Sequence, residues 1–309
     1  MSTKENVLKA LEEKKGSYIS GEELAGKLGV SRNSVWKAVR DLKKAGYMIA
    51  SVTNRGYSLN KTSDIISVQG ISTYINHKEI IQDIEVYDEL ASTNMLAKEK
   101  AVIGTIDKRV IVARKQTEGR GHRHKNFFSP DGGVYLSIIL NPEQVKGLNL
   151  PVFAAVAVTD VLEEAFIMAE SDDNHYENEI GIKWINSIYM GDEKICGILT
   201  ESISDMETGE IGSYVLGIGI NCKLKNKNRI IAGIVNRLFY PGEFYNDKSI
   251  TDRYQSKLLY IDKRVKFTLY GENKEEFYAV VLGIENNGKL IVKKDDGTKI
   301  YLDKGYMAV

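Results

Sequence analysis

Cysteine is almost missing from this chain: two in 309 residues, Cys196 and Cys222, each inside an apolar run (Lys-Ile-Cys-Gly-Ile-Leu and Gly-Ile-Asn-Cys). Two such residues make no disulfide framework and lack metal-ligand spacing, so a reducing compartment is expected. Long hydrophobic runs are missing too. The longest strongly apolar stretch, Pro151–Val158, is far too short to cross a bilayer. The first residues, Met-Ser-Thr-Lys-Glu-Asn-Val-Leu-Lys, hold no apolar signal core. The expectation is a cytoplasmic protein without a membrane partner. Gly217-Ile218-Gly219 is not a dinucleotide fingerprint, because the spacing is wrong and no helix start follows. What remains is an ordinary globular composition, 43% apolar and 27% charged, at a length that predicts two or three domains.

Net charge is zero, with 42 basic and 42 acidic residues, but it is unevenly spread. Residues 1–62 hold 12 Lys+Arg and 6 Asp+Glu, a net of +6, which leaves −6 on the remainder. Such asymmetry suggests that the N-terminal part meets an anionic polymer. Val7, Leu8 and Leu11 stand at helical spacing. Ser20 followed by Glu23 is a capping-box pattern that opens a second short helix, with Leu24 and Leu28. Ser31 caps a third, with Val35, Val39 and Leu42 inward and Gly46 as its stop. Two β-like runs, Tyr47–Thr53 and Tyr57–Leu59, flank the turn Asn54-Arg55-Gly56. Three helices and a hairpin resemble a winged helix-turn-helix, whose third helix enters the DNA major groove by its first turn. Ser31, Arg32, Asn33, Ser34 and Lys37 lie on or near that leading face. Arg40 stands further along, within reach of phosphate, and Arg55 is at the wing tip. A small helical protein-interaction module is the alternative; pattern and charge together favour DNA. Residues 61–66, polar and turn-rich at their start, are the expected linker.

From about residue 67 to 260, strand-like and helical runs alternate, which argues for an α/β or α+β domain. Strands are expected at Asp83–Tyr87, Arg109–Arg114, Val134–Leu140, Gly181–Ile185, Lys194–Glu201 and Ser213–Ile220, and a core helix at Leu150–Phe166. Ser92-Thr93-Asn94 sits at a strand–helix junction, where short polar side chains cap helices or line pockets. Between Gln116 and Gly133 the chain sets Gly119, Arg120, Gly121, His122, Arg123, His124 and Lys125 in one short run. Glycines allow close backbone approach, and amides and cations can surround anionic oxygens. The bland reading is a solvated basic loop. Lys183-Trp184 leads into a hairpin around Met190–Glu193, whose second strand opens on Lys194. A lysine there either snorkels to water or neutralises a bound anion. Gly217 and Gly219 in a buried-type strand permit a ligand or another backbone to come close.

Taken together, these segments resemble biotin protein ligases, and with the N-terminal module they resemble the bifunctional ligase and repressor kind. The motifs that carry the likeness are Ser-Thr-Asn at 92–94, Gln116 with Gly-Arg-Gly at 119–121, Phe-Ser-Pro at 128–130, Lys-Trp at 183–184, Lys-Ile-Cys-Gly-Ile-Leu at 194–199 and Gly-Ile-Gly-Ile-Asn at 217–221. The resemblance implies a multidomain α+β fold. Its parts would be a winged helix over 1–62, a mixed α/β ligase domain of the class II synthetase-like type over 67–260, and a small SH3-like β-barrel over 262–309. Strands near Arg264–Leu269, Glu276–Glu285, Lys289–Lys294 and Lys299–Leu302 fit that last part. The implied reaction joins biotin to ATP as biotinoyl-5′-AMP, then transfers biotin to a lysine of a biotin carboxyl carrier protein. Bringing two anions together needs cations and Mg²⁺. By the resemblance, Lys194, Arg120 and Arg123 are catalytic. Ser92, Thr93, Asn94, Gln116, Gly119, Arg120, Gly121, Lys194 and Gly197 bind biotin. Arg120, His122, Arg123, Phe127, Lys183, Asn186 and Asn221 bind ATP, and Phe127 and Trp184 form apolar walls. The adenylate would order the loops and favour a homodimer that binds operator DNA as a repressor.

Three positions depart from the family. His122, His124 and Lys125 stand where many members carry a run of arginines and a third glycine, and histidine is largely uncharged at pH 7. Trp184-Ile185-Asn186-Ser187 replaces Trp-Pro-Asn-Asp, and Phe127 replaces a tryptophan. The same residues also admit a non-catalytic biotin-sensing regulator or a lipoate-type ligase.

Overall fold

The computed structural model describes residues 1–103, 109–122, 125–170, 179–204, 208–269, 275–303 and 305–308. Helices α1 (Thr3–Glu13), α2 (Gly21–Leu28) and α3 (Arg32–Lys44) are followed by an antiparallel hairpin of β1 (Ile49–Val52) and β2 (Gly56–Leu59). Side chains open each helix. Ser2 and Glu5 form a reciprocal capping box, Ser20 Oγ accepts the Glu23 N–H at 3.0 Å, and Ser31 Oγ accepts the Ser34 N–H at 3.1 Å. Val7, Leu11, Leu24, Val35, Val39 and Leu42 meet in one buried cluster, as their spacing predicts. The hairpin turn needs its glycine. Gly56 has φ +96°, and a Cβ there would lie 2.1 Å from the Ile19 carbonyl oxygen.

The expected linker is a clamp rather than a tether. Ser63 and Ile66 are buried. Asp64 Oδ1 accepts the Lys227 N–H at 2.8 Å. Asn228 accepts the Ser67 N–H at 3.0 Å and donates to the Ile65 carbonyl at 2.9 Å. Arg114 donates to the Ile66 carbonyl at 2.8 and 3.2 Å. Helix α1 also packs on α4 (Val68–Ser72).

A seven-stranded mixed sheet forms the centre, in the order β3-β4-β5-β9-β8-β7-β6. Its strands are β3 (Ile84–Leu90), β4 (Val110–Gln116), β5 (Val134–Leu140), β6 (Ile180–Lys183), β7 (Ser187–Met190), β8 (Glu193–Ser204) and β9 (Ile211–Ile220). Only β3 and β4 run parallel, joined through α5 (Thr93–Ile103), as a parallel pair requires a crossover. On the opposite face lie α6 (Leu150–Glu170), α7 (Lys227–Phe239) and α8 (Asp247–Lys257). Helix α6 is apolar on nearly all sides because it is packed between the sheet and its helical neighbours.

The C-terminal residues form a five-stranded antiparallel sheet, β13-β12-β11-β10-β14, consistent with an SH3-like domain. The strands are β10 (Arg264–Leu269), β11 (Glu275–Ile284), β12 (Leu290–Lys294), β13 (Lys299–Leu302) and β14 (Tyr306–Ala308). Gly288 and Gly297 take φ +81° and +87° in the turns expected there. Trp184, only 6% exposed, donates its indole N–H to the Gly288 carbonyl at 3.2 Å and so ties this sheet to the central one.

Candidate functional site

Sheet register explains where the site forms. Val215, Gly217 and Gly219 alternate onto one face of β9, opposite Ile139, Ser137 and Tyr135 of β5 and Glu201, Leu199 and Gly197 of β8. Helix α5 covers only the Val215 end, through Ala97, Ile111 and Ile139. At the other end the glycines leave a trough, and the sequence fills it twice. A Cβ on Gly217 would fall 2.1 Å from Asn94 Oδ1, and one on Gly219 would fall 2.3 Å from the Phe127 ring. A Cβ on Gly197 would lie 2.9 Å from the same ring. These glycines therefore admit side chains of the protein itself. Beside them opens a cavity of about 600 Å³.

The cavity brings together Ser92, Thr93, Asn94, Gln116, Arg120, Gly121, His122, Phe127, Lys183, Trp184, Asn186, Lys194 and Gly197. Its neutral end is a single hydrogen-bonded network. Gln116 Oε1 accepts the N–H of Thr93 at 2.8 Å and its hydroxyl at 3.1 Å. Gln116 Nε2 donates to Ser129 Oγ at 2.9 Å, and Ser129 donates to the Phe127 carbonyl at 3.0 Å. Ser137 Oγ lies 2.7 Å from Thr93 Oγ1 and 2.6 Å from Asn94 Oδ1. Asn94 donates to Glu201 at 3.0 Å, and Lys98 donates to the other oxygen of Glu201 at 2.9 Å. Both amides are thereby oriented, and the loop is tied to the start of α5.

The other end is cationic. Burial holds the Lys194 amine below the ordinary lysine value, and Lys125 pushes it the same way against the opposing effect of Cys196. Burial likewise lowers Lys183, and the Lys194 charge lowers it further. Lys183 also stands over the Tyr189 ring, 5.6 Å from its centroid. Lys183 is buried and Lys194 keeps an exposed surface at the cavity mouth; two amines held down by desolvation and by like charge form a site that gains from an anion. The described ends of the basic run pair with each other: Arg120 bridges Asn126, and the Gly121 N–H donates to the Lys125 carbonyl at 2.7 Å. Arg123 and His124 lie outside the described residues.

Not every expected residue lines the cavity. Asn221 lies behind it, accepting the Tyr135 hydroxyl at 2.6 Å and donating to the Phe128 carbonyl at 2.5 Å. Gly119 packs against the Phe127 carbonyl, 2.3 Å from where its Cβ would be. Asn186 lines the cavity while donating to the Ile198 carbonyl at 2.7 Å. Sequence reasoning missed Ser137, Glu201 and Tyr189, and quoted Ser129 only as part of the Phe-Ser-Pro motif, without a role. It also missed Asp303, Gly305 and Met307, which the C-terminal sheet adds to the wall. A hydroxyl in the middle of an otherwise apolar strand, such as Ser137, was the available signal for the network. Nothing local marks residue 303. Asp303 is the one described acidic residue that lines the cavity, and no cluster of three metal-ligating side chains occurs among the described residues.

On the N-terminal part, Ser31, Arg32, Asn33, Lys37, Arg40 and Arg55 are exposed and Ser34 is half-buried. Ser31 and Ser34 are bonded to each other at 2.9 Å, and Arg55 rests on the Tyr18 ring at 4.3 Å. Trp36, which sequence reasoning passed over, is 50% exposed on the same helix.

Residues 86–221 match the biotin/lipoate A/B protein ligase family, and residues 3–58 match an HTH domain. The bifunctional ligase/repressor BirA of Bacillus subtilis (strain 168) is 31% identical over 313 residues, which span 91% of this chain and 91% of that protein. BirA of Escherichia coli (strain K12) is 25% identical over 306 residues, 91% and 89% of the two chains. Among solved structures, the Aquifex aeolicus biotin protein ligase in complex with biotin and ATP aligns with 74% of this chain and 98% of its own, with a TM-score of 0.56 and 24% identity. That likeness concerns the fold. No helix among the described residues is long and apolar enough to cross a membrane.

Proposed function

The chain belongs to the biotin protein ligases, in their bifunctional ligase/repressor branch, and from that premise we propose how its own residues divide the work. It is an ATP-dependent biotin–[acetyl-CoA-carboxylase] ligase and a DNA-binding repressor. The observation that carries the site assignment is the meeting of a neutral network and two lysines, Lys183 and Lys194, in one cavity of about 600 Å³.

The neutral end suits the ureido ring of biotin, a polar group without charge. Ser92, Thr93, Asn94 and Gln116 offer it hydroxyls and amides, with Gly121 and Gly197 leaving room beside the ring and Gly119 shaping the loop. The valeryl carboxylate then points toward Lys194. Lys194 and Arg120 offset repulsion between that carboxylate and the α-phosphate of ATP, and Arg123 belongs to the same proposal. As the carboxylate oxygen attacks phosphorus and pyrophosphate departs, the charge that builds on the phosphoryl oxygens faces cations already fixed in place. His122, Phe127, Lys183 and Asn186 take the nucleotide. Asn221 acts on it through the Phe128 segment it holds. In the second step the amine of the carrier-protein lysine attacks the acyl carbon and AMP leaves. No enzyme nucleophile is needed.

Mg²⁺ fits this donor set as a passenger on the triphosphate, because one lining carboxylate, Asp303, suffices for an ion that keeps waters and phosphates as its other ligands. Bound there, it would supply charge neutralisation on the phosphates. The partners are a biotin carboxyl carrier protein, operator DNA and a second copy of the chain, in the cytoplasm. The working units are residues 1–62, 67–260 and 262–309.

Calorimetry with biotin, then ATP and Mg²⁺, followed by transfer of labelled biotin to a carrier domain, tests this reading. Binding of biotin that makes ATP binding tighter, with transfer, is the expected result. Binding without transfer would leave a sensor, and lipoate displacing biotin would reassign the substrate.

A further inference from the structure

We propose that Trp36 is a base-reading residue of α3, whose indole makes apolar contact with a thymine 5-methyl group in the major groove. This rests on reading residues 3–58 as the DNA-binding part and names what that surface recognises. Val35, Ala38, Val39 and Leu42 take the inward side of α3. Trp36 falls on the outward side with Asn33, Lys37 and Arg40 and keeps half of its surface in water. A lone half-exposed aromatic is ordinary by itself; its place on the outward side of α3 among Asn33, Lys37 and Arg40 is what gives it meaning.

Charge selects the partner. From Ser31 to Thr62 the chain has seven basic residues and one acidic residue, Asp41. The acidic residues of this part otherwise lie on α1 and α2. A polyanion suits that surface. Arg40 places its guanidinium 5.2 Å from the Trp36 ring centroid, so cation and indole are presented as one unit. Arg32 and Asn33 can hydrogen-bond base edges, but neither can read a methyl group. The Ser31 and Ser34 hydroxyls are already engaged with each other and with the helix cap. The thymine methyl is the apolar mark of the major groove, and Trp36 is the exposed apolar side chain that α3 offers it.

The test uses duplexes selected from a random library by the full-length protein with biotin, ATP and Mg²⁺. Each thymine is then replaced by deoxyuridine, which keeps every hydrogen bond and removes only the methyl. At one position per half-site, wild type should lose roughly fivefold or more in affinity. W36A should bind the thymine and uracil duplexes alike, with W36F in between. Indifference of wild type to every uracil, or discrimination kept by W36A, overturns the proposal. A second readout does not depend on the variant folding. The chain has two tryptophans, and Trp184 is buried, so acrylamide quenching reports mainly on Trp36. Duplex binding should protect it, and unchanged quenching in a formed complex also overturns the proposal. Recovery of no duplex at all would instead sink the DNA-binding reading beneath it.

Discussion

Lys183 and Lys194 are lysines that fold into a place unfavourable to their own charge. Each has its amine lowered by burial, and each stabilises the protein less at neutral pH than above its folded-state value, where the charge is gone. A bound carboxylate or phosphate reverses this and raises both. Biotin binding on the alkaline side of neutrality should therefore take up protons, read as a buffer-dependent heat in calorimetry. K194M should cut adenylate formation by about 100-fold or more, as expected for loss of a fixed cation at developing charge; single-turnover pyrophosphate release checks it. The histidine-containing loop should hold biotinoyl-AMP less tightly than an arginine-rich one. H122R is expected to slow leakage of labelled adenylate by about tenfold, the effect of one charge-assisted hydrogen bond. An unchanged leak rate would refute that idea. Ser187 pairs with Gly197 on the ladder and lines the same cavity, offering it a hydroxyl and no carboxylate.

Among the elements, the glycine trough of β8 and β9 ties sequence most directly to chemistry. G219A would drive a methyl into the Phe127 ring, so the ring must leave its place. Biotin affinity should fall by roughly tenfold or more, a cost of about 1–3 kcal/mol for overpacking, and operator binding at limiting biotin should weaken with it. Calorimetry checks the first effect and gel shift the second. Much of this was legible beforehand. The strand Val134–Leu140 and the helix start at Leu150 came from apolar runs, and the β7–β8 hairpin from its Gly-Asp turn. Helices α7 and α8 were not separately visible. Asn228 and Asn236 are buried in α7 because they bond the chain before α4 and the residues around Tyr74, Arg237 because it pairs with Glu164 of α6, and those polar positions break the hydrophobic period. Strand β14 is too short to show a pattern, and Asp303 reaches the cavity through tertiary packing of a strand end. The network around Gln116 was half legible: its ligand-facing members were named, Ser129 was quoted in a motif without a role, and Ser137 was not named.

Across the whole molecule, the parts are joined by polar ties that close small distances. Trp184 holds the C-terminal sheet, and W184A removes a buried side chain and its bond to Gly288 at a cost of about 3–5 kcal/mol. Hydrogen exchange should then rise first in residues 286–292. The N-terminal joint contains Glu12, buried beside Lys15 and Asp64. Burial raises its carboxyl above the ordinary value, so its contribution is fully favourable below the unfolded-state value and is lost as pH climbs through the folded-state one. E12Q should accordingly raise the melting temperature at pH 7 and flatten its fall as pH climbs above the ordinary carboxylate value, measured by scanning calorimetry. Arg114 ties the Ile66 carbonyl to the strand that ends in Gln116. It thus spans the distance from joint to cavity.

That joint has a geometric outcome for any paired form of the protein. Each reading head is seated on its body, so two copies side by side would act like the prongs of a rigid plug. Inserting about five base pairs between half-sites turns one of them to the far side of the duplex. One prong then finds no socket, and glycines spliced in after Thr62 should give the plug enough slack to fit again.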